Sequence, residues 1–311
     1  MEAPTPVELV HGDAIDACRT LARPFDLVYL DPPFNVGGRF TARTRAGERR
    51  GRAVAASGPD AYGDAWGGIE GFLAMLEPRL AAVRDCLSPH ATLWLHLDQR
   101  TVHEAKGVCD RLFGRGAFRG EVIWVPGNGA RRSRGPAMTH QTLLVYTRDA
   151  RAEGAFTWND DDPAMREPFA ETSRARHFHH VDADGRRYRE RVIAGKAYRY
   201  YEDVGRRLGS VWTDCPAMVA NTPLCAEATG YPTQKPEKLL ERIVRASSAP
   251  GDTVADLMCG SGTTLVVAAR LGRRAVGGDA SPRAIATTTE RLERAGVPCR
   301  ARAADALSAR P

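Results

Sequence analysis

A short acidic and proline-rich turn follows the first strongly apolar run of the sequence. Phe25–Leu30 has the composition of a buried strand, and Asp31, Pro32, Pro33 and Phe34 follow it directly. Neither proline has an N–H group, so the carbonyl groups around them point outward as acceptors, and Asp31 adds a carboxylate. This turn could bind an exocyclic amine of a nucleobase, accepting its two N–H groups while the ring stacks on Phe34. The plain alternative is a Pro-Pro turn that only ends a strand.

A glycine-containing loop near the end of the sequence is the second candidate site. Asp256, Gly260 and Gly262 lie between a predicted strand and a predicted helix. Backbone N–H groups of such a loop, together with the helix N-terminus, face a bound ligand. Asp279 ends the next predicted strand, 19 positions after Gly260. This is the spacing at which an acidic residue accepts hydrogen bonds from ribose hydroxyls.

The residues of this loop favour a cationic ligand over a pyrophosphate. Leu265 stands where a dinucleotide-binding loop has its third glycine, and no Gly-Lys-Ser/Thr sequence follows. The carboxylate of Asp256 would repel a pyrophosphate but suits an amino acid that carries an amine or a sulfonium. The loop therefore predicts S-adenosylmethionine rather than NAD, with a purely structural loop as the alternative.

Strands and helices alternate along the sequence around these two motifs. Predicted strands cover 25–30, 91–97, 121–125, 141–146, 253–258 and 274–278, and predicted helices cover 102–113, 263–271 and the stretch after Pro236. A further helical pattern runs from Phe72 to Leu87, where Pro78 should kink or interrupt the helix. This alternation predicts an α/β fold with a doubly wound, mostly parallel sheet, and such sheets bind ligands at their carboxyl edge.

Basic residues concentrate in two segments. Residues 37–62 contain six arginines against two acids and little apolar pattern, which predicts a long mobile loop. Residues 165–207 contain ten arginines and Lys196 against seven acids, interleaved with aromatic residues. A surface that binds nucleic acid needs positive side chains to contact phosphates and aromatic rings to stack on bases. A solvated arginine-rich face with aromatic residues in a small core would have the same composition.

Composition narrows the class of protein. The 311 residues are 43% hydrophobic and 26% charged, so a packed core can form, and the net charge of +6 suits an anionic partner. The sequence has neither a long apolar run nor a basic signal segment, which predicts no membrane association. Its seven scattered cysteines form no C-x-x-C pair, which predicts a reducing cytoplasm and neither disulfides nor a metal site.

Three motifs together resemble those of the β-class amino-group DNA methyltransferases. They are Asp31-Pro-Pro-Phe, Thr233-Gln-Lys-Pro-Glu-Lys-Leu-Leu and Cys259-Gly-Ser-Gly-Thr-Thr, with the catalytic turn first and the cofactor loop last. The resemblance covers roughly residues 9–148 and 231–293. It implies the S-adenosylmethionine-dependent methyltransferase fold with a circularly permuted motif order. It also implies a catalytic half at 1–148, an inserted target-recognition region at 149–230 and a cofactor-binding half at 231–311.

The same resemblance implies roles for individual residues. Asp31, Pro32, Pro33 and Phe34 would bind and stack the target base, and Lys235 would approach the methionine carboxylate of the cofactor. The cofactor would be held by Asp13, Ala14, Asp31, Lys235, Asp256, Met258, Cys259, Gly260, Ser261, Gly262, Thr263, Thr264 and Asp279. From the two basic segments, the candidate DNA-binding residues are Arg39, Arg43, Arg45, Arg186, Arg187, Arg189, Arg191 and Tyr198.

The resulting hypothesis is a site-specific methyltransferase that flips a base out of double-stranded DNA and methylates adenine N6 by direct in-line transfer, without a metal. Family members with Asp at position 31 mostly act on adenine, so cytosine N4 is the near alternative. A methyltransferase acting on RNA or a small molecule, and a DNA-binding protein with a decayed site, are further alternatives. Relatives also suggest a homodimer and a cognate restriction endonuclease as partners. A cytosine-C5 enzyme is disfavoured, because its nucleophilic cysteine usually follows a proline and the only Pro-Cys pair in the sequence is Pro298-Cys299 near the end of the chain.

Overall fold

A computed structural model gives the fold of the chain. It describes residues 5–34, 37–49, 52–127, 129, 134–149, 151, 155–218 and 227–304, and at 38–39, 42–49 and 52–59 it describes the backbone only. The helices α1 to α7 are, in chain order, Ala14–Leu21, Ile69–Cys86, Val102–Phe113, Glu171–His177, Glu237–Ser247, Thr263–Arg270 and Pro282–Arg294. The strands β1 to β16 are Val7–His11, Phe25–Leu30, Gly38–Arg49, Arg52–Asp64, Leu87–Leu97, Phe118–Trp124, Gln141–Thr147, Arg166–Glu167, His180–Val181, Arg187–Ile193, Lys196–Tyr201, Arg206–Arg207, Val211–Trp212, Thr253–Asp256, Arg274–Asp279 and Cys299–Ala303.

Nine of these strands form one central sheet in the order β13-β6-β7-β5-β2-β14-β15-β1-β16. All of its neighbouring strands pair in parallel except at β7, which runs antiparallel to both β5 and β6. Helices cover both faces, with α1, α2 and α3 packed into one hydrophobic cluster and α5, α6 and α7 into the other. The prediction of a doubly wound, mostly parallel sheet is therefore confirmed.

The parallel strands bring acidic residues together at one edge of the sheet. Asp31 follows β2 directly, Asp98 follows β5, Asp256 ends β14, Asp279 ends β15, and Asp13 lies two residues beyond β1. These five strands are neighbours in the order β5-β2-β14-β15-β1, so their carboxyl ends lie side by side. Residues 225 positions apart in sequence, such as 31 and 256, consequently meet at the same place.

Two local predictions need correction. The helix α2 continues through Pro78 without interruption, and that residue lies exposed while Phe72, Leu76, Leu80 and Val83 anchor the helix in the core. Losing one backbone N–H at an exposed position is outweighed by this apolar packing.

The segment predicted as a loop at 37–62 is instead a hairpin. Strands β3 and β4 pair antiparallel with several register shifts. Their backbone hydrogen bonds hold the two strands together, although the side chains show no alternating apolar pattern. At the base of the hairpin the Phe40 and Tyr62 rings stack 5.0 Å apart across the two strands. The base contacts the rest of the protein through Tyr62, which bonds Thr233, and through Ala61, whose carbonyl accepts from Ser281 Oγ at 2.7 Å. The side chains of Arg39, Arg43 and Arg45 lie outside the described residues.

Between β7 and α5 the described chain forms two small sheets and adds one short strand to the edge of the central sheet. Strands β9, β10 and β11 form one antiparallel sheet and β8 pairs with β12, while β13 returns to the edge of the central sheet beside β6. Within the described ranges, no helix has the length and apolar character needed to cross a membrane.

An ion pair between a buried arginine and a half-exposed aspartate attaches this region to the core. Arg242 on α5 is 5% exposed, and its guanidinium donates to both oxygens of Asp214, at 2.8 and 2.7 Å, and to the Ala164 carbonyl at 2.9 Å. The Arg242 guanidinium holds the pKa of the Asp214 carboxyl far below its usual range.

We expect Asp214→Ala to lower the free energy of unfolding by about 2 kcal/mol, because the buried Arg242 loses two charged hydrogen bonds, while solvent at the half-exposed Asp214 side offsets part of the loss. Lys238 also pairs with Asp214, at 3.0 Å, but is 57% exposed. The control variant Lys238→Met should therefore cost less than about 1 kcal/mol. Urea unfolding followed by circular dichroism measures both, and equal losses would contradict this account of the attachment.

Candidate active site

The two predicted motifs line one cavity of about 680 Å³ at the carboxyl edge of the sheet. This volume is typical of a small-molecule site. The predicted catalytic and cofactor residues that line it are Asp13, Ala14, Asp31, Pro32, Pro33, Phe34, Lys235, Asp256, Met258, Cys259, Gly260, Ser261, Thr263, Thr264 and Asp279. Gly262 is set back from the lining, where it is the N-cap residue of α6. Motifs from opposite ends of the sequence thus form a single site.

Asp31 presents one paired and one unpaired carboxylate oxygen. Lys235 Nζ donates to Asp31 Oδ2, while Oδ1 is buried and has no hydrogen-bond partner within the described chain. Burial raises the pKa of the Asp31 carboxyl, and the Lys235 charge acts against that rise. A buried acceptor without a donor costs free energy, so Oδ1 is suited to take an N–H group from a bound molecule.

Lys235 contacts the amine-binding turn itself. Its ammonium pairs with Asp31 and lies 5.2 Å from the centre of the Phe34 ring. The side chain is 8% exposed, and it adjoins the cofactor loop because the Lys235 carbonyl accepts from Thr263 Oγ1 at 3.2 Å. The lysine therefore lies between the two motifs rather than in the cofactor loop alone.

The glycine loop is held from both sides by carboxylates. Asp256 accepts from Thr264 Oγ1 at 2.6 Å and from the Met258 N–H at 3.2 Å. Asp279 accepts from the N–H groups of Gly260 at 2.9 Å and Ser281 at 2.8 Å. Both carboxylates keep further lone pairs, since each oxygen can accept more than one hydrogen bond.

Gly262 is required by backbone geometry. Its φ of 72° lies in the left-handed region, and a Cβ at this position would lie 2.7 Å from Cγ2 of Thr288. The tight turn brings the start of α6 next to the cavity, where Thr263 and Thr264 line it.

A buried arginine that no sequence pattern indicated joins the loop to α5. Arg291 on α7 is 5% exposed and donates to Thr263 Oγ1 at 2.7 Å, to the Ser261 carbonyl at 3.3 Å and to Glu237 Oε1 at 2.8 Å. Glu237 is the first residue of α5, two positions after Lys235. The contact joins residues 54 positions apart, which no local motif indicates.

The hairpin and the strand ends add residues that line the cavity beyond the motifs. Tyr62 from β4 bonds Thr233 Oγ1 at 3.1 Å and stacks 6.3 Å from the Tyr231 ring. Asp64 and Asp98 also line the cavity and are buried. The position of Asp98 directly after a predicted strand was an available signal. Tyr62 lay at the end of the segment predicted as a loop, and Asp64 lay just beyond it, where no element was predicted.

The lining fits S-adenosylmethionine better than a dinucleotide. Carboxylates from five strand ends face the cavity, and no phosphate-cradling lysine follows the glycine turn. Asp13 accepts from the Ile15 N–H at 2.9 Å and pairs with Arg79, so Asp13 also caps α1 where it meets the cavity. An acidic cavity of this kind attracts a sulfonium and repels a pyrophosphate.

The predicted DNA-binding residues in the small sheets fall into two groups. Arg186 pairs with Asp203 at 2.9 Å, Arg187 pairs with Glu202 at 3.2 Å, and Arg189 lies over the ring of Phe178 at 5.4 Å. These three arginines are engaged within their own region. By contrast, Arg191 and Tyr198 are exposed and face each other across β10 and β11, so they lie on a free surface of the hairpin.

The fold and the site together define a class, the S-adenosylmethionine-dependent methyltransferases. A family model described as DNA methylase, for N6 and N4 methyltransferases, matches residues 25–290. The chain belongs to this family, which confirms the predicted class of S-adenosylmethionine-dependent DNA methyltransferase.

Individual relatives agree with the family. DNA adenine methyltransferase YhdJ of Escherichia coli K12 is 27% identical over 271 residues, covering 86% of this chain and 76% of that protein. The crystal structure of the M1.HpyAVI–SAM complex aligns with 92% of this chain and with 98% of its own chain, with a TM-score of 0.53 and 15% sequence identity. The structure of PvuII DNA methyltransferase (cytosine-N4-specific) aligns with 93% of this chain and with 87% of its own length, with a TM-score of 0.57 and 15% sequence identity. The two structures show a common fold.

Proposed function

We propose that the protein transfers a methyl group from S-adenosylmethionine to N6 of adenine in double-stranded DNA, at a specific sequence and on a flipped base. The observation that carries this proposal is the buried Oδ1 of Asp31, an acceptor that no residue of the described ranges bonds, beside two prolines and an aromatic ring. An amine in conjugation with a base is a weak nucleophile. Two acceptors that hold both of its hydrogens favour a pyramidal nitrogen with its lone pair free.

Each residue of the turn has a defined task in this proposal. Asp31 Oδ1 and the Pro32 carbonyl accept the amine hydrogens, and Phe34 stacks on the extruded ring. Extrusion costs a few kcal/mol, which stacking and the two hydrogen bonds offset. Lys235 keeps Asp31 oriented by holding its other oxygen.

The glycine loop would hold the cofactor. In this proposal Asp279 would bind the ribose of the cofactor, and Asp256 would favour its positive charge. Asp13 and Ala14 would lie near the adenine of the cofactor. When bound, S-adenosylmethionine supplies an electrophilic methyl group on a sulfonium. Met258, Cys259, Gly260, Ser261, Thr263 and Thr264 would complete the contact surface, all of them lining the same cavity.

Adenine is favoured over cytosine by the aspartate at position 31, because the resembling family members with Asp at this place act mostly on adenine. The relative YhdJ is named an adenine methyltransferase, whereas the PvuII enzyme of similar fold is named cytosine-N4-specific. Cytosine N4 is accordingly the second candidate.

Incubation of the purified chain with labelled S-adenosylmethionine and mixed genomic DNA, followed by nucleoside separation, tests the proposal. The expected product is N6-methyldeoxyadenosine. Label in N4-methyldeoxycytidine would establish the second candidate, and cofactor binding without incorporation would indicate a decayed enzyme. Label incorporated only into RNA would overturn the DNA substrate.

The affinity for S-adenosylmethionine should depend on the ionisation of Asp256. Burial raises the pKa of its carboxyl to about 7, although bonds from Thr264 and Met258 lower it. The folded protein therefore retains this proton between about pH 4 and pH 7, and this group's contribution to stability is lost as the pH rises through that window.

A cationic ligand prefers the ionised carboxylate, so we expect the affinity to rise about tenfold between about pH 6 and pH 8. Calorimetric titration at several pH values measures this rise. Asp256→Asn should bind more weakly and with a flatter pH dependence, which separates this group from the titration of the cofactor itself. The same slope in both proteins would contradict the assignment.

For DNA contact we propose residues 149–230 as the target-recognition region, with the exposed hairpin of β10 and β11 on the duplex. Arg191→Gln should weaken duplex binding and reduce the slope of log affinity against log salt by about one. Arg186→Gln is the matched control, because its charge is already paired with Asp203. Fluorescence anisotropy across a salt series measures both, and an unchanged slope for Arg191→Gln would remove this surface from the interface.

Arg39, Arg43 and Arg45 in β3 are proposed to contact the DNA next to the flipped base. The homodimer, the companion restriction endonuclease and the cytoplasmic location stay predictions. Sedimentation of the purified chain tests the first of them.

A further inference from the structure

A buried hydrogen-bonded chain lies behind the amine-binding turn and ends at the cavity. The hydroxyl of Tyr29 is 2.7 Å from His96 Nδ1, and His96 Nε2 is 2.7 Å from Oε1 of Gln141. Tyr29 is 2% exposed and His96 is fully buried, whereas Gln141 is half-buried and lines the same cavity as Asp31 and Phe34. The chain thus leads from the sheet interior to the place where the target base would lie.

Sheet topology places Gln141 at the active edge. Strand β7 runs antiparallel to its neighbours, so its first residue, Gln141, lies where the parallel strands end, and it pairs with Trp124, the last residue of β6. The His96 ring that holds Gln141 lies 6.0 Å from the Phe34 ring and 5.4 Å from the Trp124 ring. The amide therefore lies close to the ring proposed to stack on the base.

The direction of the hydrogen bonds follows from the protonation of His96. Burial and the Lys235 charge lower the pKa of this imidazole well below its usual value, so it is neutral, with one donor and one acceptor nitrogen. Gln141 presents its amide oxygen to Nε2, and this oxygen can only accept, so Nε2 carries the imidazole proton and donates it. Nδ1 is then the acceptor and takes the hydrogen bond of the Tyr29 hydroxyl, whose pKa burial raises. The amide NH₂ group of Gln141 is consequently not used by His96, and Gln141 lines the cavity.

We propose that Gln141 contacts the target base, its amide N–H donating to the ring nitrogen next to the exocyclic amine, N1 in adenine, with His96 as the positioning residue that orients the amide. This inference rests on the proposed function. The acceptors Asp31 and Pro32 together with the donor Gln141 match the Watson–Crick edge of adenine. Guanine and thymine carry an N–H at the corresponding ring position, which would face a donor and leave both groups unpaired.

Duplexes that carry one analogue at the methylated position test the contact. In 1-deazaadenine a C–H group replaces N1, and in 7-deazaadenine the change lies on the other edge of the ring. For the wild-type chain we expect 1-deazaadenine to lower kcat/KM at least about tenfold relative to adenine. In Gln141→Leu the adenine substrate should already be slow, and the ratio between the two bases should fall at least about tenfold from its wild-type value, to that set by their intrinsic reactivity. Because the analogue alters amine reactivity equally for both proteins, the change in ratio reports the contact.

Two further variants exclude a merely structural effect. Gln141→Glu keeps the shape of the side chain but presents an acceptor, so it should lose kcat/KM while its circular dichroism spectrum and cofactor affinity are unchanged. His96→Phe should reduce the discrimination against 1-deazaadenine without replacing the amide.

Equal ratios in wild type and Gln141→Leu would overturn the inference while leaving the proposed function intact. If Gln141→Leu changed the adenine-to-analogue ratio of kcat/KM for 7-deazaadenine but not for 1-deazaadenine, the assignment of the contact to N1 would be overturned. If cytosine is the methylated base, 3-deazacytosine replaces the adenine analogue and the same ratios decide. No methylation of any duplex by the wild type would overturn the proposed function and this inference with it.

Discussion

Asp31→Ala is expected to slow methyl transfer by about 10³-fold while changing the affinity for S-adenosylmethionine only a few-fold. The variant removes the buried Oδ1 that would accept an amine hydrogen, together with the partner of Lys235. The loss should appear in kcat, because the contact strengthens as the nitrogen becomes pyramidal. Single-turnover transfer of labelled methyl groups measures the rate, and calorimetry measures the affinity.

Glu104→Gln is a suitable control for Asp31→Ala. Glu104 is an exposed acid on α3, and its neutralisation changes the net charge by the same amount. This control should transfer methyl groups at the wild-type rate. If Asp31→Ala retained more than about a tenth of the wild-type rate, the proline turn would not be the amine-binding group.

Gly262→Ala should weaken the binding of S-adenosylmethionine by at least about tenfold. An alanine at a φ of 72° costs about 1–2 kcal/mol, and its Cβ would collide with Thr288 at 2.7 Å. Thr288 Oγ1 also donates to the Gly260 carbonyl at 3.1 Å, so its displacement would distort the cofactor loop directly. Calorimetric titration with the cofactor measures the loss.

Gly272→Ala separates backbone strain from collision. Gly272 has a similar φ of 76°, but an added Cβ there would come no closer than 3.9 Å to its neighbour, Pro250. This variant should lose stability and keep its cofactor affinity. Equal loss of affinity in the two variants would mean that general destabilisation, rather than the shape of the loop, limits binding.

The sequence predicted those parts of the site that are encoded locally. A buried strand that ends in Asp31 and two prolines, and a strand, glycine turn and helix around Gly260, are each contained in a dozen residues. The alternation of strands and helices then places both at one sheet edge, and the structure has them lining one cavity. The fold class followed from the same alternation because parallel strands with helical crossovers allow few arrangements.

Contacts between distant residues could not be predicted from the sequence. Arg291 belongs to a helix with many polar residues, and only the folded chain shows that it bonds Thr263 and Glu237 in the interior. His96 and Gln141 come from neighbouring antiparallel strands whose register no local pattern specifies.

Composition does not indicate where backbone pairing sets the structure, or where charges are paired within their own region. Residues 37–62 lack an alternating apolar pattern, yet their backbones pair as β3 and β4. Arg186 and Arg187 were predicted to bind nucleic acid from the arginines and interleaved aromatic residues of their segment, and this stays a prediction. Asp203 and Glu202 neutralise them within the region, and a charge count over a segment cannot distinguish such pairs from free cations.

Sequencing of modified bases in DNA from cells that express the wild-type chain or Asp31→Ala tests the central claim most directly, since it reports base, position and context together. We predict N6-methyladenine at one position of one short sequence in the wild type, and its loss in the variant. Equal methylation in both, or modified bases without a common sequence, would contradict a site-specific enzyme that uses the carboxylate of Asp31.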